Sequence, residues 1–176
     1  MTLKSTFAKA ACITLVSLAS ASAHAGWGGG FFACKKTPIA DVTDLTITEG
    51  AAALGLDTLA SVLPPEIAEL LDNSEDITVF APTDEAFENI PGPILGEIVD
   101  DPDILATVLS YHVTPYKVDP RKTRYIREVK TLAGQSLFVS RDRKGFDVNQ
   151  SEIECQGYRT KNGLVWVIDS VLLPQF

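Results

Sequence analysis

A chain of 176 residues with a formal net charge of −8 lacks the positive footprint that phosphate binding needs, which excludes nucleic acid as a partner. Outside its first 25 residues the chain has two cysteines and one histidine, too few ligands to close a structural zinc site, which takes four.

The first 25 residues have the layout of an export signal. Lys4 and Lys9 give a positive start, "AACITLVSLAS" is an apolar run too short to span a bilayer comfortably, and Ala23-His24-Ala25 is a small-residue cleavage site. The mature chain is therefore expected to begin at Gly26, to be secreted or periplasmic, and to carry a net charge of −10, because both charges lost are lysines. No longer apolar run follows, so no transmembrane anchor is expected in it, and the phenylalanines before Cys34 are wrong for a lipid-anchor signal. Cys12 leaves with the signal. The remaining pair, Cys34 and Cys155, is expected to form a disulfide in an oxidising compartment, where closing so long a loop contributes ~4 to 5 kcal/mol in the chain-entropy model.

Residues 26–37 read as a glycine-rich, aromatic lead-in, and 38–176 as a single domain without internal repeats. Its first part is helical. "DLTITEGAAALGLDTLASVL" and "PPEIAELLDN" space leucines three and four apart, with Pro64-Pro65 ending one helix and starting the next. Ile77 to Phe80 is a strand-type run that stops at Pro82. Thr83 then offers a helix cap, with Asp84 and Glu85 in the positive first turn. A further helix follows in "DDPDILATVLSYHV", where Asp101 caps and Pro102 suits the first turn. The acids there lack the glycine and closing glutamate of a calcium loop. The remainder, "EVKTLAG", "SLFVSR", "FDVNQ", "SEIECQ", "GYRT" and "LVWVID", reads as short strands between turns such as Asn162-Gly163. Helices first and strands second give an α+β domain.

Charge is unevenly distributed. Residues 26–120 hold 17 acids and 3 bases, whereas 121–144 hold 8 bases and 2 acids. Arg121, Lys122, Arg124, Arg127, Arg141, Arg143 and Lys144 are the candidate cations for an anionic glycan or an anionic surface. The alternative is a solvated strand face paired with the acidic half.

The usual catalytic and cofactor signals are missing: there is no G-x-S-x-G, H-E-x-x-H, P-loop or G-x-G-x-x-G, so no cofactor is expected. The mature chain offers one histidine, His112. Its place at the end of an amphipathic helix favours a structural role, donating to nearby carbonyls and gaining from the helix dipole.

With these residues in view, "ITVFAPTDEAF" resembles the first signature of the fasciclin (FAS1) domain, "LSYHV" its central tyrosine-histidine motif, and "NGLVWVIDSVLLP" its closing signature, while "VKTLAGQSLFV" is similar to its mid-domain hairpin. The likeness spans roughly 38 to 175. It implies a fasciclin-like β-sandwich or wedge of short strands with several helices packed on one side. It also implies a non-catalytic, extracellular adhesion or matrix-binding role, with a surface polysaccharide, a matrix or cell-surface protein, or another copy of the chain as partner. The motif residues Thr83, Asp84, Tyr111, His112, Asn162, Gly163 and Asp169 would then support the fold. "PDIL" and "YHV" are similar to segments linked with integrin contact in animal members, but for Asp103-Ile104 the helix-cap reading is preferred. Trp166 stands where the closing signature commonly has a histidine, and Cys155 suggests a disulfide-bearing subgroup. Two other readings remain open: an exported hydrolase using Asp84 and His112, and an exported, stress-related binder of a small ligand.

Overall fold

The computed structural model describes residues 37–141 and 145–175. The expected export signal, the lead-in up to residue 36 with Cys34, and the cations Arg143 and Lys144 lie outside the described residues.

A short strand, β1 (Ala40–Val42), leads into three helices, α1 (Ile47–Ala53), α2 (Asp57–Val62) and α3 (Pro65–Asn73). The leucine spacing predicts one helix up to Pro64, but the chain breaks earlier. Gly55 adopts φ +76°, a left-handed conformation that ends α1 and that glycine takes without steric cost. Thr46 caps α1 reciprocally: its hydroxyl accepts from the Glu49 N–H, and the Glu49 carboxylate accepts from the Thr46 N–H at 2.9 Å. Pro65 fits the first turn of α3, where its missing N–H costs nothing.

Strand β2 (Ile77–Pro82) is buried along its whole length. It is followed by α4 (Asp84–Glu88), α5 (Gly92–Asp100) and α6 (Pro102–Tyr111). Helix α5 is not anticipated by the sequence pattern, because Gly92, Pro93 and Gly96 punctuate it as a loop would be punctuated. Helix α6 starts as expected. The Asp101 carboxylate accepts from the N–H groups of Asp103 and Ile104 at 2.9 and 3.1 Å, which accounts for the acids of "DDPD" as a cap and a first turn.

Strand β3 (Val113–Thr114) and a single 3₁₀ turn at Pro120–Lys122 lead to β4 (Arg127–Lys130), β5 (Ser136–Arg141), β6 (Phe146–Val148), β7 (Ser151–Thr160) and β8 (Gly163–Ile168). The two short strands expected over "SEIECQ" and "GYRT" are one strand, β7, with a register shift between Ile153 and Gly157. That irregularity bends it, so its first residues pair with β6 and its last with β1.

The strands form one nearly closed sheet in the order β3-β2-β8-β7-β6-β5-β4, with β1 added alongside β7. Although β2 arises among the helices in sequence, it lies next to β8, parallel and in register from Ile77 with Gly163 to Pro82 with Ile168. Alternation along these two strands divides the interior. Ile77, Val79, Ala81, Val165 and Val167 face a core shared with the helices, including Ile47, Leu59, Leu71 and Leu109. Phe80, Leu164, Trp166 and Ile168 face a second core closed by Val129, Leu137, Val139, Phe146 and Val148 of β4 to β6. The expected α+β wedge with helices on one side is the architecture found.

Candidate functional site

The basic segment begins inside the protein, not on it. Asp119 caps the 3₁₀ turn and receives the Arg121 guanidinium as a fork, with Nε to Oδ1 at 2.9 Å and a terminal nitrogen to Oδ2 at 3.1 Å. The same guanidinium lies 5.0 Å from the centre of the Trp166 ring and donates to the carbonyl of Thr37. Only 11% of the Arg121 side chain is exposed. Burial pushes the Asp119 carboxyl upward, but the hydrogen bonds and charge of Arg121 outweigh it and hold the group below its ordinary range. Arg121 is therefore not available as a surface cation, which corrects the expectation that it contributes to a binding surface.

Trp166 is fully buried and donates its indole N–H to the carbonyl of Val118 at 3.0 Å. A β-carbon on Gly157, across the β7–β8 pair, would sit 2.6 Å from the tryptophan ring. The large ring and the missing side chain are complementary.

Beyond Arg121 the chain emerges. Lys122 has 84% of its side chain exposed, Arg124 is exposed, and Tyr125 and Ile126 stand at 84% and 73% exposure. Arg127 pairs with Val139 in register and Arg141 lies two residues further along β5. The inward rows of β4 and β5 thus run from Val129, Leu137 and Val139 into Arg127 and Arg141, which are exposed at the end where the core stops. Of the seven candidate cations, Lys122, Arg124, Arg127 and Arg141 fall on this exposed stretch. Tyr125 and Ile126 are the additional residues that sequence reasoning missed. Their apolar character reads as core, and only the structure places them at an exposed bend.

The motif residues hold elements together. Thr83 caps α4 by accepting from the Ala86 N–H at 3.2 Å, while the Asp84 carboxylate reaches away to accept from the Thr58 N–H at 2.9 Å. Helix α2 has no side-chain cap from its own Leu56, so Asp84 supplies one across the fold. The Tyr111 hydroxyl donates to the Ser136 carbonyl at 3.2 Å and accepts from Asn149 at 2.8 Å. Asn162 accepts from the Ile47 N–H at the start of α1 and donates to the carbonyls of Leu71 and Ser74 at the end of α3, so one side chain serves two helix ends. Asp169 accepts from the Glu152 N–H at 2.8 Å. Gly163 is required because a β-carbon there would collide with the Ile77 carbonyl. Cys155 is partly buried beside the strand-side core, and its expected partner Cys34 lies outside the described residues.

His112 is buried with both ring nitrogens engaged. Nε2 accepts from the Leu172 N–H at 2.9 Å, so Nδ1 carries the proton and donates to the Val108 carbonyl at 2.7 Å. Burial lowers its pKa to about 4, against a smaller upward pull from the Val108 carbonyl. The ring is neutral at pH 7, which corrects the expectation that it gains from the helix dipole. It clamps the C-terminal segment to α6 instead. With both nitrogens committed to backbone and Asp84 committed to α2, the pair named for a hydrolase has no nitrogen with which to act as a base. Among the described residues, no group of three or more metal-ligating side chains forms and no helix is long and apolar enough to cross a membrane.

Comparison with known proteins agrees with this framework. The structure resembles a FAS1 domain pair from the insect cell adhesion molecule fasciclin I, with a TM-score of 0.55 at 16% identity, covering 70% of this chain and 46% of that one. In sequence the chain is 35% identical over 118 residues to immunogenic protein MPB70 and 35% identical over 124 residues to cell surface glycolipoprotein MPB83, both of Mycobacterium bovis. These matches cover 66% and 68% of this chain, which spans only 60% and 56% of those proteins' lengths. Protein sll1483 of Synechocystis is 33% identical over 139 residues, covering 75% of this chain and 76% of that protein. The fasciclin domain model matches residues 55–174, and the chain belongs to that family.

Proposed function

We propose that this protein is an extracellular, adhesion-type module that holds an anionic surface polymer on the exposed stretch from Lys122 to Arg127, with Arg141 beside it. Family membership and the surface glycolipoprotein among its relatives support the adhesion role and the location outside the cytoplasm. The observation that carries the ligand class is the bend itself. Tyr125 and Ile126 project between Arg124 and Arg127 in a protein that is otherwise strongly acidic. Guanidinium groups suit the carboxylates or sulfates of an acidic polysaccharide, and an exposed tyrosine ring can lie against a sugar face. Arg121 acts beneath this surface, fixing the turn that precedes it.

The test is retention on immobilised heparin and hyaluronate, together with binding to whole cells, across a salt series. Joint replacement of Lys122, Arg124, Arg127 and Arg141 by serine is expected to weaken binding on the order of tenfold or more, with the loss greatest at low salt. Tyr125→Ala is expected to weaken it at all salt concentrations. Unchanged retention in the fourfold variant would overturn the assignment.

A further inference from the structure

A cavity of about 190 Å³ lies between β2 and the helices α1, α2, α3 and α6. Its walls are Ile47, Leu59, Leu71, Val79, Leu109 and Val165, with Ala51 facing in from α1. Two polar side chains reach it, and both are occupied: the Thr48 hydroxyl donates to Asp72 at 2.6 Å, and His112 has each nitrogen on a backbone partner. The lining thus offers little to water and much to hydrocarbon. The cavity is not sealed. Ala60 is exposed, and Thr48, Leu63 and Ala68 are half-buried, so its mouth lies where the three short helices meet and two of the lip residues are alanines.

Size and charge narrow the occupant. A protein cavity of ~150 Å³ accepts benzene, so this one accommodates a single ring of that kind or an alkyl chain of about six carbons. The surrounding surface carries Glu49, Asp57, Glu66, Glu69 and Asp72, and residues 37–76 contain no lysine or arginine. These helices therefore offer an anionic head group at the mouth several carboxylates and no cation of their own, a repulsion that an uncharged head group does not meet.

We infer that this cavity is a binding site for one small, uncharged apolar molecule, of the class of a short-chain alcohol or ester, inserted tail-first between α1, α2 and α3. It is separate from the cationic stretch, which follows the 3₁₀ turn and borders the opposite core.

The probe is hexan-1-ol, titrated into the protein at neutral pH with hexanoate as its charged counterpart, and followed by thermal shift and calorimetry. Hexan-1-ol is expected to raise the melting temperature in a saturable way, and hexanoate to bind at least about tenfold more weakly. Ala51→Leu, which fills the interior, and Ala68→Phe, which obstructs the mouth, should each reduce the hexan-1-ol affinity by about tenfold or more. Ala68→Phe carries the test if the filled variant does not fold, because its position is half-buried. A saturable response of equal strength in the parent and in Ala68→Phe would overturn the site, as would no saturable response in the parent. Equal binding of the alcohol and hexanoate would overturn the charge argument and with it the proposed ligand class.

Discussion

The two faces of the β2–β8 pair are made by the same residues in alternation, yet they are held in different ways. On the side facing β4 to β6, large rings fill the space: Trp166 and Phe80 are fully buried, and Gly157 is bare because the indole lies against it. On the side facing the helices, the contributions from the strands carry no ring, Ile77, Val79, Ala81, Val165 and Val167, and a cavity remains. Polar hooks at helix ends do the fastening there, with Asn162 on α1 and α3, Asp84 on α2, and His112 between α6 and the C-terminal segment. One face is filled by large rings, the other by aliphatic side chains supplemented by hydrogen bonds at a few chain ends.

The comparison breaks most visibly at Trp166. Trp166→Ala removes a buried ring and the platform of Arg121, and it should cost about 3 to 5 kcal/mol in a urea unfolding series. If it costs less than 1 kcal/mol, the strand-side core is not held by volume.

His112 tests the other face through pH. Its folded pKa of about 4 lies below the ordinary imidazole value of 6.5, so the unfolded chain binds a proton first as the pH falls. The stability it contributes is complete above about pH 6.5 and is lost progressively towards pH 4, amounting to about 3 kcal/mol. Other groups titrate nearby. Glu154, raised by burial, gains stability on protonation, and Asp119, held down by Arg121, loses it. The informative quantity is therefore the stability gap between the parent and His112→Gln, which should be largest at pH 7 and narrow towards pH 4. A gap that stays constant across this window would show that His112 is not buried neutral.

The smallest effect belongs to Asp84. Asp84→Ala uncaps α2 while leaving Thr83 on α4, and the expected cost is about 1 kcal/mol. Amide exchange should quicken in α2 ahead of the strands. Uniform quickening across the domain would mean that Asp84 supports more than one helix start.

Much of this was legible in sequence because local chemistry and tertiary role coincide. Thr83 and Asp101 cap helices in place, and the buried run at Ile77 follows from its β-branched and aromatic residues. The partner of Asp84, 26 residues away, is invisible in sequence, since a carboxylate in a first turn looks the same whether it serves its own helix or another. Arg121 was misread for the converse reason: composition counts a cation without showing that Asp119 and Trp166 enclose it. Helix α5 was hidden by its glycines and proline, and β7 by a bulge that resembles a turn.

The parallel pairing of β2 with β8 also bears on how the molecule is assembled. The strand completed at Pro82 waits for a neighbour that begins at Gly163, and Asn162, which ties down α1 and α3, arrives at the same moment. Until nearly the whole chain is present, the early helices lack their hooks and β2 lacks one side of its hydrogen-bond ladder. Closing contacts so distant in sequence carries a large entropic cost before any return, which makes the domain a late and cooperative folder. A polypeptide built this way stays threadable until its last strand is delivered.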